Sequence, residues 1–76
     1  MLNNLEKAAY NFEKIIDLDS SNIEVYLNLA KTYENLNDKD SAIDILQKAL
    51  IIDPNNTSIL EFLLKMYIEK FSERLK

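Results

Sequence analysis

Shifted against itself by about 34 residues, the chain repeats, and a period of that length belongs to stacked helix-turn-helix units. The shift pairs Ala8 with Ala42, Lys14 with Lys48, Asp19 with Asp53 and Asn22 with Asn56. It continues through Leu29 and Leu63, Lys31 and Lys65, and Tyr33 and Tyr67. Other pairs keep their character, as Phe12 and Leu46 or Ile16 and Leu50 do. One complete unit runs from Ile23 to Asn56, and weaker partial copies continue in register on both sides. A repeat of this kind points to binding on an extended surface and leaves the partner unnamed.

What the chain lacks narrows the function further. It has 76 residues, 47% of them hydrophobic and 29% charged, which is close to the lower limit for a self-sufficient core. Glycine is absent and proline occurs once, so the tight turns of an all-β fold have little raw material. Cysteine and histidine are both absent. That removes a disulfide framework, a thiol nucleophile, thiolate metal ligation and the commonest general base. A net charge of -4 argues against nucleic acid, whose phosphates demand clustered Lys and Arg. No apolar run approaches the roughly 20 residues that span a bilayer, and the N-terminus carries no signal pattern. The expectation is a cytoplasmic protein that binds neither membrane nor cofactor.

Apolar spacing predicts an all-α fold of about four helices paired as antiparallel hairpins. The first is expected from about Leu2 to Leu18, with Leu5, Ala8, Ala9, Phe12, Ile15 and Ile16 on one stripe. Ser21 and Glu24 have the spacing of a capping box that would start the second, which runs to about Leu36 and buries Val25, Tyr26, Leu29, Ala30 and Tyr33. Asn37 and Asp38 offer capping oxygens for a third, with Ala42, Ile45, Leu46, Ala49 and Leu50 on one face. Pro54 ends it, because its ring disfavours helical geometry at Asp53. Asn55, Asn56 and Ser58 can cap a fourth helix with no evident breaker before Lys76.

In the middle unit, Tyr26, Leu29, Ala30, Tyr33, Ala42, Leu46, Ala49 and Pro54 resemble the signature of the tetratricopeptide repeat family. Tyr26 stands where that family often has tryptophan, Leu46 replaces an aromatic residue, and Asn37 replaces a common glycine. The resemblance implies a right-handed solenoid. Residues 1–22 would be the second helix of a preceding repeat, 23–56 a full repeat, and 57–76 the first helix of a following one, possibly extended. The pattern has a physical basis, since Ala30 and Ala42 are small enough for paired helices to approach closely.

The resemblance also implies a concave groove, lined by first helices, that takes an extended peptide or a partner's helix. It would place Leu27, Asn28, Lys31 and Asn35 there, joined by Glu61, Phe62, Lys65 and Glu69. Lys31 and Lys65 would offer two positive charges to an acidic peptide, against the plainer reading of two solvated lysines. Some family members clamp the acidic C-terminal tails of heat-shock chaperones. Asn28 fits the middle asparagine of that clamp, but Ser58 and Phe62 stand where its final lysine and arginine belong. Chaperone-tail binding is therefore not implied.

The fourth helix is apolar around much of its circumference and expects burial on more than one side. At the position of Ala30 it carries Leu64, and at that of Ala42 the chain has Lys76. Two readings compete. In one, Phe62, Leu64, Ile68 and Phe71 join a second copy, making a two-fold homodimer if the chain is complete. In the other, the chain is a piece excised from a longer array, with a co-chaperone or adaptor role, whose next helix covers that face. A variant of the first has this helix exchange between chains.

No catalytic or metal-ligating residues are expected. Asp38, Asp40 and Asp44 beside Ser41, like Asp17, Asp19 and Ser21, fall at helix ends, where aspartate caps and turns. Neither group has the mid-loop glycine or closing glutamate of the common calcium loop. Without glycine there is no phosphate-cradling loop either.

Overall fold

A computed structural model describes residues 3–75. It contains α1 (Asn4–Leu18), α2 (Ile23–Asn35), α3 (Lys39–Ile52) and α4 (Thr57–Arg74), with no strand among the described residues. The all-α expectation stands. The expected helix start at Leu2 and the reading of Lys76 lie outside the described residues.

Each boundary has a local cause. The Asn3 side chain accepts from the Glu6 amide at 2.8 Å and opens α1. The capping box expected between Ser21 and Glu24 does not form. Asp19 Oδ1 instead accepts from both the Ser21 amide at 3.2 Å and the Ser21 hydroxyl at 2.8 Å. The Ser21 hydroxyl is turned toward the Asp19 carboxylate as a donor, and Asn22 rather than Ser21 takes the N-cap position, so the Ser21 oxygen does not accept from the Glu24 amide. The N-cap of α2 is Asn22, without a side-chain bond. The Ser21 hydroxyl, and then its amide, hold the Asp19 carboxyl below the usual aspartate range.

At the far end of α2, Asn37 adopts φ 61°. Its amide donates to the Glu34 carbonyl at 3.0 Å and that of Asp38 to the Tyr33 carbonyl at 2.9 Å. This pair of bonds is the Schellman arrangement, and it needs a left-handed residue at Asn37. Asparagine tolerates that conformation better than other non-glycine residues. Asp38 then caps α3, accepting from the Ser41 amide at 3.1 Å and hydroxyl at 2.7 Å. α3 stops two residues before Pro54. Asn56 opens α4 by accepting from the Ile59 amide at 3.1 Å while donating to Asp53 at 3.1 Å.

Packing runs between neighbours in sequence, α1 on α2, α2 on α3 and α3 on α4. Ala30, Ala42 and Ala49 are wholly inaccessible to solvent, as are Leu29, Leu46, Ile59 and Met66. The alanines let the backbones approach, and the larger side chains fill the space beside them. Phe12, Ile16, Ile23, Leu27, Tyr33, Leu36, Leu50 and Phe62 close over this core from its edges. Two tyrosines satisfy their hydroxyls at the margin: Tyr26 donates to the Ser20 carbonyl at 2.9 Å, and Tyr33 to the Glu13 carboxylate on α1. The Cα positions span 39 × 37 × 13 Å. The molecule is thus a slab little thicker than a helix diameter, and much of each helix lies near a surface.

Candidate interaction surfaces

The expected groove residues lie on α2 and α4, and one acidic side chain joins the two helices. Lys65 Nζ reaches Glu34 Oε2 at 2.9 Å, and Lys31 Nζ stands 3.4 Å from Glu34 Oε1. The two lysines are therefore not a pair of free charges. They share a carboxylate whose side chain is only 15% exposed, which reduces the trio to a single net positive charge. The hydrogen bond from Lys65 holds the Glu34 carboxyl below the usual glutamate range, against the upward push of burial and with further help from Lys31. Glu34 Oε1 is buried and accepts no hydrogen bond among the described residues.

Around this bridge the other candidates are unevenly placed. The Lys65 ammonium lies 5.9 Å from the ring centroid of Phe62, and Phe62 and Leu27 are both half-buried at the core's edge. Asn28, Asn35 and Glu61 are exposed. Asn28 keeps its side-chain amide outward while its carbonyl accepts from Thr32 Oγ1 at 2.9 Å. Glu34, which organises the surface, is not among the residues read from the sequence. The available signal was its three-residue spacing from Lys31, but nothing in the sequence shows that Lys65 lies across from it.

The four residues expected at a self-association seam do not share a face. At about 100° per residue, Phe62 and Leu64 point to opposite sides of α4. Phe62 belongs to the side that carries Lys65, whereas Leu64, Ile68 and Phe71 open outward at 60%, 56% and 62% exposure. Leu60, Tyr67 and Leu75 extend that outward stripe. The opposite stripe, Ile59, Leu63 and Met66, is buried. The 34-residue shift carries Tyr26, Ala30 and Tyr33 of α2 onto Leu60, Leu64 and Tyr67 of α4. In α2, Tyr26 and Ala30 are buried and Tyr33 is half-buried; in α4 all three counterparts are exposed. α4 also continues where α2 turns, since Phe71 occupies the position of Asn37.

The C-terminal half of α4 is tied to the start of α3. Lys39 pairs with Glu73, and Lys70 with Asp40, while Gln47 Nε2 donates to the Tyr67 hydroxyl at 2.7 Å. These contacts fasten this half of α4 to α3 and, apart from the Tyr67 hydroxyl, leave its outer stripe exposed. Lys70 holds the Asp40 carboxyl below the usual range, and Glu73 raises Lys39 above it. Among the described residues no group of acidic side chains could hold a metal ion, and no helix is long and apolar enough to cross a membrane.

The sequence profile described as tetratricopeptide repeat matches residues 2–65, most of the chain. The chain belongs to the tetratricopeptide repeat family. Its helical hairpins, close alanine contacts and 34-residue register are those of the repeat, and the match takes in α1 to α3 and the first half of α4. Tetratricopeptide repeats generally act as non-catalytic scaffolds for protein interactions, so a protein partner follows at that level. The matched region ends at Lys65, ahead of Ile68, Phe71 and Leu75 on the outer stripe.

Proposed function

We propose that this repeat is a protein-interaction scaffold whose principal contact is a helix seated on the outer face of α4. The observation that carries this reading is the register comparison. Leu60, Leu64 and Tyr67 are open where their counterparts on α2, a helix packed between α1 and α3, are buried or half-buried. An exposed apolar stripe of this extent marks an interaction site on a small soluble domain. The occupant takes the place on α4 that α3 takes on α2, whether it comes from a partner, a second copy or a following repeat of a longer array.

A titration tests the reading. A labelled peptide spanning residues 38–53, the α3 segment, is added to the protein at low micromolar concentration while its anisotropy and the protein's mass are followed. Either the peptide binds saturably or the chain is already dimeric, and Leu64→Lys abolishes whichever is seen while the helical circular dichroism is retained. A monomer that ignores the peptide contradicts the proposal.

The groove supports a second, weaker contact. Lys31, Lys65 and Glu34 together keep only a single net positive charge, and the acidic Glu61 and Glu69 on the same helix as Lys65 offset it. An acidic tail gains little there, which counts against a co-chaperone role. A peptide without strong net charge suits that balance better than an acidic one.

A further inference from the structure

We infer that the helix on the outer face of α4 is α4 of a second copy, antiparallel about a two-fold axis between Tyr67 and Ile68. This rests on the proposed use of that face and names its occupant. Spacing is the first reason. Leu60, Leu64, Tyr67 and Phe71 follow one another at intervals of four, three and four residues. That alternation keeps a seam facing its partner when two helices cross at about 20°.

The stripe is also self-complementary in level. Residues equidistant from a point between Tyr67 and Ile68 are Leu60 and Leu75, Leu64 and Phe71, and Tyr67 and Ile68 themselves. An antiparallel pair therefore sets each large apolar side chain of the stripe level with another. Its length from residue 60 to residue 75 is about 22 Å at 1.5 Å per residue. A self-matching patch closes as an isologous dimer.

Area and shape agree with this occupant. The six side chains are 44–74% exposed. They leave on the order of 700 Å² per copy, so a pair buries about 1,400 Å², within the range of specific interfaces. Leu64 at the position of Ala30 keeps a helix from approaching as closely as α3 approaches α2. It suits the 8–10 Å separation at which large side chains interdigitate. Phe71 and Leu75 lie beyond the point where α2 turns, and a second α4, at 18 residues, is long enough to cover the whole stripe. Each copy carries a net charge of -4, so added salt screens the repulsion between them and tightens the pair.

The chain has no cysteine, which makes thiol cross-linking a clean readout. Leu64→Cys and Phe71→Cys variants of the full chain are prepared separately, then oxidised with a glutathione redox buffer either alone or as an equal mixture. Non-reducing gels and mass spectrometry follow the products. The antiparallel pair predicts that the mixture yields the mixed disulfide, at least several-fold faster than either variant yields its own homodimer. Homodimers that form as fast or faster overturn the arrangement in favour of a parallel one. A chain that stays monomeric into the high micromolar range, yet binds the residue 38–53 peptide, overturns the second copy alone. A monomer that does not bind the peptide either removes both this inference and the proposed use of the face.

Discussion

Side chains that lose all contact with water set the largest single-residue effects. Leu46 is fully buried among alanines that cannot move in to fill a gap, so Leu46→Ala is expected to cost about 2–5 kcal/mol in urea unfolding. At Ala42, also fully buried, the opposite change is harmful. Ala42→Leu forces α2 and α3 apart and is expected to cost about 1–3 kcal/mol in the same assay. Asn56→Ala, which removes the cap of α4 and a bond to Asp53, should cost about 1 kcal/mol. Asn37→Gly should instead raise the melting temperature, because glycine takes φ 61° without a Cβ penalty. The caps at Asp38 and Asn56 were legible in the sequence, since each precedes an apolar helical pattern. The Ser21 box was not, because Ser21 and Asn22 are both capping residues in sequence and the helix starts one residue later, at Ile23, with Asn22 as its N-cap.

Titration behaviour is also a matter of single residues. Burial, and then the Glu13 carboxylate, pushes the Tyr33 phenol up to about 12, above its ordinary 10. The phenol's contribution to stability is therefore intact below pH 10 and is lost as pH rises toward 12. Tyr33→Phe should flatten the alkaline limb of a stability profile over that window, measured by urea midpoint at each pH. Glu34 runs in the opposite direction. Its carboxyl is lowered below an ordinary 4.5, so its contribution is present above that pH and disappears as pH falls through the depressed value. Glu34→Gln should remove that part of the acid limb, and a profile unchanged by the substitution would count against the Lys31–Glu34–Lys65 bridge.

At the scale of elements, α4 differs from the other three in having two apolar stripes, one against α3 and one open. The sequence revealed that its apolar residues run around much of the helix. It did not reveal how they divide, because periodicity fixes angles between side chains and not the side on which a neighbouring helix lies. Phe62 and Leu64 are therefore alike in the sequence pattern, and the position of α3 separates them. Within the open stripe Leu64, at 60% exposure, lies mostly outside the packing of a single copy. Leu64→Ala should therefore change stability by no more than about 0.5 kcal/mol when measured at high dilution. The same substitution should weaken any association through α4, and the contrast between the two measurements isolates the role of the stripe. α1 to α3 obey the repeat register closely, which is why their helices and turns could be read in advance.

On the scale of the whole molecule, a slab 13 Å thick in Cα extent buries a thin core, and four helices of this length hold it only marginally. Covering the outer face of α4 adds apolar burial that the single copy lacks. If association occurs there, the melting temperature should rise with protein concentration, since mass action stabilises whatever binds only the folded state. The repeat register read from sequence carried the family and the order of helices. The charge balance around Glu34 and the separation of two faces on α4 depend on distances between helices, and no local pattern encodes those.

Sedimentation equilibrium of the unaltered chain beside Leu64→Lys, from low to high micromolar concentration, tests association through the outer face of α4. The predicted result is a reversible shift of the unaltered chain from 8.9 kDa toward twice that mass, with the variant remaining at 8.9 kDa and fully helical. An unaltered chain that stays at 8.9 kDa throughout, or a dimer that Leu64→Lys leaves intact, would contradict it.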